Sequence, residues 1–185
     1  MRLAIVGSVG VPASYGGFET LVEHLIEDES FDYTVYCSGK HYCEQLKTYK
    51  GARLVYLPMR ANGVTSILYD VCSVLHGIAS GHKVFLILGT SGAIIIPLIR
   101  LICPSVRMFV NIDGIEWRRS KWRGLARWYL KVSESIAVRY CHKVVADNDA
   151  IANYIMEAYR RECETIAYGG DHAKVNESGR NADYV

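Results

Sequence analysis

With 185 residues, 50% of them hydrophobic and 22% charged, the chain has the composition of one globular domain that can bury a sizeable core. A formal net charge of +2 is too small to direct the whole molecule to nucleic acid, so any basic bias is local. Six cysteines without a C-x-x-C pair, and no secretory signal after Met1-Arg2, exclude a disulfide scaffold and predict a cytoplasmic protein with free thiols.

The first predicted element is a strand over 3–7, the apolar run Leu3-Ala4-Ile5-Val6. It feeds Gly7-Ser-Val-Gly10-Val-Pro12-Ala-Ser-Tyr15-Gly16-Gly17-Phe18-Glu19-Thr20, then a helix over 18–29 with Leu21, Val22, Leu25 and Ile26 at helical spacing. A strand, a glycine-rich turn and a helix N-terminus make a site for an anion or a sugar. The first-turn N–H groups are unpaired, the dipole is positive there, and glycine lets a ligand approach the backbone. The loop is neither a P-loop nor a dinucleotide fingerprint, because Gly7 and Gly10 are two residues apart and the second strand ends without an acidic residue. A plain βα turn that needs glycine only for its geometry is the alternative.

Further strands are predicted over 33–37, 53–57, 84–88, 106–110, 143–146 and 164–167. Helices are predicted over 65–80, 92–102, 120–140 and 148–160. Strands apolar on both faces that alternate with helices imply a parallel sheet covered on both sides, of the doubly wound, Rossmann-like kind. Ligands bind such sheets at the carboxyl ends of the strands. The loops Gly7–Gly17, Gly89–Gly92 and Asn111–Trp117 all follow strands, so they are expected along one edge. The apolar stretch Val84–Ile99 is too short for a membrane span and is interrupted by two glycines and Pro97, so it reads as strand, turn and helix.

Residues 117–131 carry Arg118, Arg119, Lys121, Arg123, Arg127 and Lys131 with no acidic residue, interleaved with three tryptophans and Tyr129. Leu125, Trp128, Tyr129, Val132 and Ile136 supply an apolar stripe. This basic amphipathic helix reads either as an element that meets lipid head groups or an anionic acceptor, or as a solvated basic face over a core-facing stripe. The six histidines show no ligand spacing, and neither a metal nor a cofactor is expected.

The glycine loop, read with Asn111-Ile-Asp113-Gly114-Ile-Glu116-Trp117-Arg118-Arg119-Ser120-Lys121-Trp122, resembles the N-terminal domain of family 4 retaining glycosyltransferases. The likeness covers roughly residues 1 to 172 and is greatest to a bacterial polysaccharide rhamnosyltransferase-like branch. It implies the N-terminal, acceptor-side half (1–172) of a two-domain GT-B enzyme, then a polar linker or tail (173–185), with the second domain absent. It implies a nucleotide-sugar donor, a lipid-linked saccharide acceptor, no metal, and a place on the inner face of the cytoplasmic membrane. Asp113 would stand at the reacting sugar, where the family often has histidine. Gly16 and Gly17 would approach the donor diphosphate or the transferring sugar, while Asn111, Gly114 and Glu116 would orient the acceptor. This half alone is expected to be inactive. The family's E-x7-E pair belongs to the second domain, so the same spacing at Glu19 and Glu27 is a coincidence. A rival reading is a non-catalytic module that binds an anionic ligand or a membrane surface.

Overall fold

Strands form where the sequence is apolar on both faces, at β1 (Arg2–Val6), β2 (Asp32–Ser38), β4 (Ala52–Leu57), β5 (Val84–Leu88), β6 (Arg107–Ile112), β7 (Lys143–Ala146) and β8 (Glu164–Thr165). A short β3 (Thr48–Tyr49) pairs antiparallel with β4 at the sheet edge. The helices are α1 (Gly17–Leu25), α2 (Thr65–Ala79), α3 (Ile96–Ile102), α4 (Gly124–Tyr140) and α5 (Asp149–Tyr159). The computed structural model describes residues 1–14 and 16–167; Tyr15 and residues 168–185, the expected linker over 173–185 among them, lie outside the described residues.

The eight strands lie in the order β3-β4-β2-β1-β5-β6-β7-β8, and all neighbours except β3 and β4 are parallel. This is the doubly wound, Rossmann-like arrangement, with the chain reversing direction across the sheet after β4. Right-handed crossovers then decide which helix covers which face. The step from β1 to β2 puts α1 on one face, and the later steps put α2 to α5 on the other.

The core divides accordingly. Ile5, Val35 and Leu88 pack with Val22 of α1 and with Ile26 just after it. Ala4, Val6, Ile87 and Val110, alternating with them along the strands, pack with Tyr69, Ile99, Ala137 and Ile155. The six cysteines are free.

Several expected boundaries shift. The helix expected from 18 to 29 ends at Leu25, because the Asp28 carboxylate accepts from the Ser30 N–H (2.9 Å) and turns the chain toward β2. The helix expected over 92–102 starts as a 3₁₀ turn (Ala93–Ile95). The one expected over 120–140 is α4, which starts only at Gly124, and a separate 3₁₀ turn (Glu116–Arg118) precedes it.

Candidate functional site

The reversal of the sheet opens a crevice between the ends of β1 and β5, and a cleft of about 700 Å³ occupies it. Gly7, Gly16 and Gly17 line one wall, Thr90 and Ser91 the floor, and Asp113 and Glu116 the opposite wall. Three loops spread over about a hundred residues of chain therefore meet at one strand edge, as the alternation of strands and helices implies. The segment Ala61–Ile67, which enters α2, forms a lip that the sequence did not single out.

The glycine loop is tied down from below. Gly7 has φ +95° and lies so close to β5 that an added Cβ would stand 2.1 Å from the Leu88 carbonyl oxygen. The Val9 N–H donates to Glu19 Oε1 (2.7 Å), and the Ala13 N–H donates to Glu23 Oε2 (2.9 Å). Two glutamates of α1 thus reach back to hold the loop that precedes it.

Glu19 changes the chemistry of this wall. It is 6% exposed, sits in the first turn of α1 and lines the cleft. Its Oε2 lies where a Cβ on Gly16 would be, 2.3 Å away. The negative charge that the start of α1 favours is already supplied by the chain itself. The sequence reading missed Glu19 as a site residue. Its signal was an acidic residue three positions after a glycine N-cap.

The floor is held by a second buried carboxyl. Asp70, 2% exposed in α2, accepts the Ser91 hydroxyl proton and the Gly92 N–H, and Gly92 has no room for a side chain because Asp70 Cβ would be 2.3 Å away. From α4, Tyr129 OH donates to the Ser91 carbonyl (2.7 Å) and Ser133 Oγ to the Thr90 carbonyl (2.5 Å). Burial raises the Asp70 pKa from 3.8 to about 7, because the hydrogen bonds only partly offset the loss of solvation.

The folded state consequently keeps this proton over a range where the unfolded chain has lost it. Stability from this group is fully present below pH 3.8 and is lost as pH rises toward about 7. Asp70→Asn cannot ionise. Its Tm should nearly match wild type near pH 4 and exceed it increasingly up to pH 7, a trend that calorimetry across that range will check. Parallel pH profiles for the two proteins would show that Asp70 is not the titrating group.

Asp113 follows β6, is half-buried and faces the cleft. Burial pushes its carboxyl up from the ordinary value, and the Glu116 carboxylate adds to the shift. Glu116 lines the same wall but is engaged. Arg119 Nη1 lies 2.9 Å from its Oε1, and Trp122 Nε1 donates to its Oε2 (3.3 Å), with Lys121 Nζ at 3.7 Å.

Asn111 is not on the lining. Its backbone carbonyl accepts from the Gly89 N–H (2.9 Å), and its side chain is buried with Oδ1 unpartnered. Gly114 does not line the cleft either. Neither residue contributes to the walls of this cleft.

The six cations also separate. Arg119 and Lys121 are held by Glu116 at the cleft, and Arg123 is the exposed residue just before α4. Arg118, Arg127 and Lys131 all stand over the Trp117 ring, 5.0–5.6 Å from its centre. Behind that ring lies a network the sequence did not reveal. Buried Glu134 Oε1 accepts from Trp117 Nε1 (3.2 Å) and from the hydroxyls of Tyr154 and Tyr159 (2.6 Å each).

The apolar stripe needs correction. The core-facing side of α4 is Leu130, Ser133, Glu134, Ala137 and Val138, whereas Leu125 and Trp128 point to solvent. The aromatic stripe is not the buried one. The donors around Glu134 and the bonds to Thr90 and Ser91 turn a partly polar face inward instead.

Among the described residues, no three His, Cys, Asp or Glu side chains group as a metal site, and no helix is long and apolar enough to cross a membrane.

A doubly wound α/β domain with its cleft at the reversal of the sheet defines the class: a Rossmann-like domain. Its backbone is similar to sucrose-phosphate synthase from Thermosynechococcus elongatus (TM-score 0.66, 9% identity) and to the N-terminal domain of Candida albicans trehalose-6-phosphate phosphatase (0.56, 12%). It is also similar to Arabidopsis thaliana UGT89C1, solved complexed with UDP (0.53, 12%). These likenesses cover 90–91% of this chain but only 47–49% of each solved protein, so the chain spans about half their length. Residues 1–171 match the family described as a domain of unknown function, DUF1972, and the chain belongs to that family. No curated protein matches the sequence.

Proposed function

We propose that this chain is the acceptor-side domain of a two-domain, metal-independent, retaining glycosyltransferase of family 4, in a rhamnosyltransferase-like branch. The enzyme moves a sugar from a nucleotide-sugar donor to a lipid-linked saccharide in cell-surface polysaccharide synthesis, at the inner face of the cytoplasmic membrane. The observation that carries the reading is the cleft at the reversal of the sheet. There Gly16 and Gly17, with the Glu19 carboxyl beside them, line the same cleft as the half-buried Asp113 carboxyl.

The lining suits a sugar. Trp122 and Tyr129 offer flat apolar surface, and Thr90, Ser91 and Asp113 offer convergent polar groups. Because Glu19 already fills the start of α1, the group that approaches Gly16 and Gly17 is a neutral sugar hydroxyl rather than the diphosphate. Asp113 hydrogen-bonds or deprotonates a hydroxyl of the reacting sugar. The donors that stabilise the departing diphosphate then belong to the second domain.

The test is transfer from a panel of nucleotide sugars to lipid-linked acceptors by the two-domain protein, with the product's anomeric configuration read by NMR. Transfer with retention is expected, and residues 1–185 alone should give none, since half a cleft cannot close over a donor. A two-domain protein that neither binds nor transfers any sugar nucleotide would overturn the reading in favour of a non-catalytic module.

A further inference from the structure

The outer side of α2 is apolar along most of its length. Its buried residues are Tyr69, Asp70, Ser73, Val74 and Gly77. At about 100° per residue, Thr65, Leu68, Cys72, Leu75 and Ala79 fall on the opposite side. They recur at spacings of three, four, three and four, the a/d repeat of a helix that pairs with another helix. Leu68 is 61% exposed and Leu75 44%, so this seam faces water. α3 widens it. Asp70 holds Ser91 and Gly92 just before the segment that leads into α3. Successive right-handed crossovers on one face of the sheet put α2 and α3 side by side in the same direction. Ile94, Leu98 and Leu101, 46–79% exposed, continue the apolar surface. Arg100 turns away from it toward α4, where its Nη1 donates to the Tyr140 carbonyl (3.0 Å).

This surface is almost free of charge. Between Arg60 and Lys83 the only Asp, Glu, Lys or Arg is the buried Asp70, and between Lys83 and Arg107 it is Arg100. Val64, Leu68, Leu75, Ile94, Leu98 and Leu101 together expose on the order of 600 Å², the upper end of what a monomer leaves in one patch. With the side chains between them, the face approaches the roughly 800 Å² that each partner of a stable interface buries. A lipid surface suits it poorly, since no Lys or Arg rims the strip to meet head groups. A second copy of the same face suits it well, because pairing brings together neither like charges nor an unpaired ion.

We propose that the chain pairs with a second copy of itself through α2, antiparallel and about a two-fold axis, with α3 packed on α3 alongside. In this register Leu68 faces Ala79 of the second copy and Cys72 faces Leu75, so a large side chain meets a small one in every layer. The axis runs across both helices, which is why α3 meets its own copy as well. The cleft stays open, because Ser66 and Ile67, which line it, lie on the inner flank of α2 away from the seam. The pairing does not depend on the glycosyltransferase reading.

The test is sedimentation velocity of residues 1–185 over a range of protein concentrations. A dimer with Kd in the micromolar range or tighter is expected, and Tm should rise with concentration. Leu68→Glu with Leu75→Glu puts four carboxylates into the interface and should raise Kd about a hundredfold or more. Both side chains are already in water in the single chain, so this variant should be a monomer that still melts cooperatively, at a Tm independent of concentration. Trp128→Glu, on the outer side of α4, should leave the dimer intact. The register is read by oxidation with copper phenanthroline, which takes two electrons from a pair of thiols as their protons leave. Leu68→Cys with Ala79→Cys should link two copies, and neither change alone should. The two positions are about 16 Å apart along one helix, so the bond must join different chains. A monomer at every concentration, a dimer that survives the two glutamates, or no link between copies would overturn the proposal. So would a monomer that binds vesicles of pure phosphatidylcholine and loses that binding with the same two glutamates, since the face would then belong to a bilayer.

Discussion

Asp113→Asn in the two-domain protein is expected to lower kcat about a hundredfold or more, the scale of a positioned acid–base group, with Tm almost unchanged. The substitution keeps the size and most of the hydrogen-bonding capacity of the side chain and removes only its charge and basicity. The site favours such a role. Asp113 is half-buried at the end of β6, its carboxyl is pushed up by burial and by Glu116, and the one cation that opposes this shift, Arg119, is bound to Glu116. The alternative is a side chain that merely shapes the turn before Gly114, a task asparagine does equally well. Steady-state kinetics with parallel melting curves distinguish the two. A stable and fully active Asp113→Asn protein would remove Asp113 from the chemistry and leave the fold untouched.

Gly7→Ala should destabilise the domain by on the order of 4 kcal/mol, among the larger effects of a single methyl group. Two terms add. At φ +95° an L-residue is strained, and the new Cβ would stand 2.1 Å from a backbone oxygen of β5 that cannot rotate away. Relief requires β1 and β5 to separate where the chain reverses, so the cleft is distorted with the core. Gly63→Ala is the control. It has φ +71° but nothing within 4 Å of its would-be Cβ, so only the conformational term remains, about 1–2 kcal/mol. Urea unfolding of the two variants measures the difference. Equal losses would show that β5 yields to the methyl group.

The parallel strands could be read from the sequence because burial on both faces leaves continuous apolar runs such as Leu3–Val6 and Val84–Leu88. β3 could not, since it has two residues, one of them polar, and is held in part by the Tyr49 hydroxyl on Glu23 of α1, a contact between distant segments. The meeting of the three loops followed from strand order alone. The ties beneath them did not. Glu19, Asp70 and Glu134 each sit within a helical pattern as a charged residue with nothing local to explain it, and their partners lie 10 to 25 residues away. α4 shows the same limit. Its larger side chains mark one stripe, but the inward face was decided by hydrogen bonds to Trp117, Tyr154, Tyr159 and the Thr90–Ser91 loop.

The three tryptophans occupy three different environments within one short stretch of chain. Trp117 is clamped between cations and Glu134, Trp122 lines the cleft with its indole on Glu116, and Trp128 stands in water on the outer side of α4. Each indole is therefore a natural optical reporter of a separate event. Retaining one tryptophan at a time, with phenylalanine at the other two, would let ligand entry, changes at the outer face of α4 and integrity of the domain be watched in separate channels without any added label.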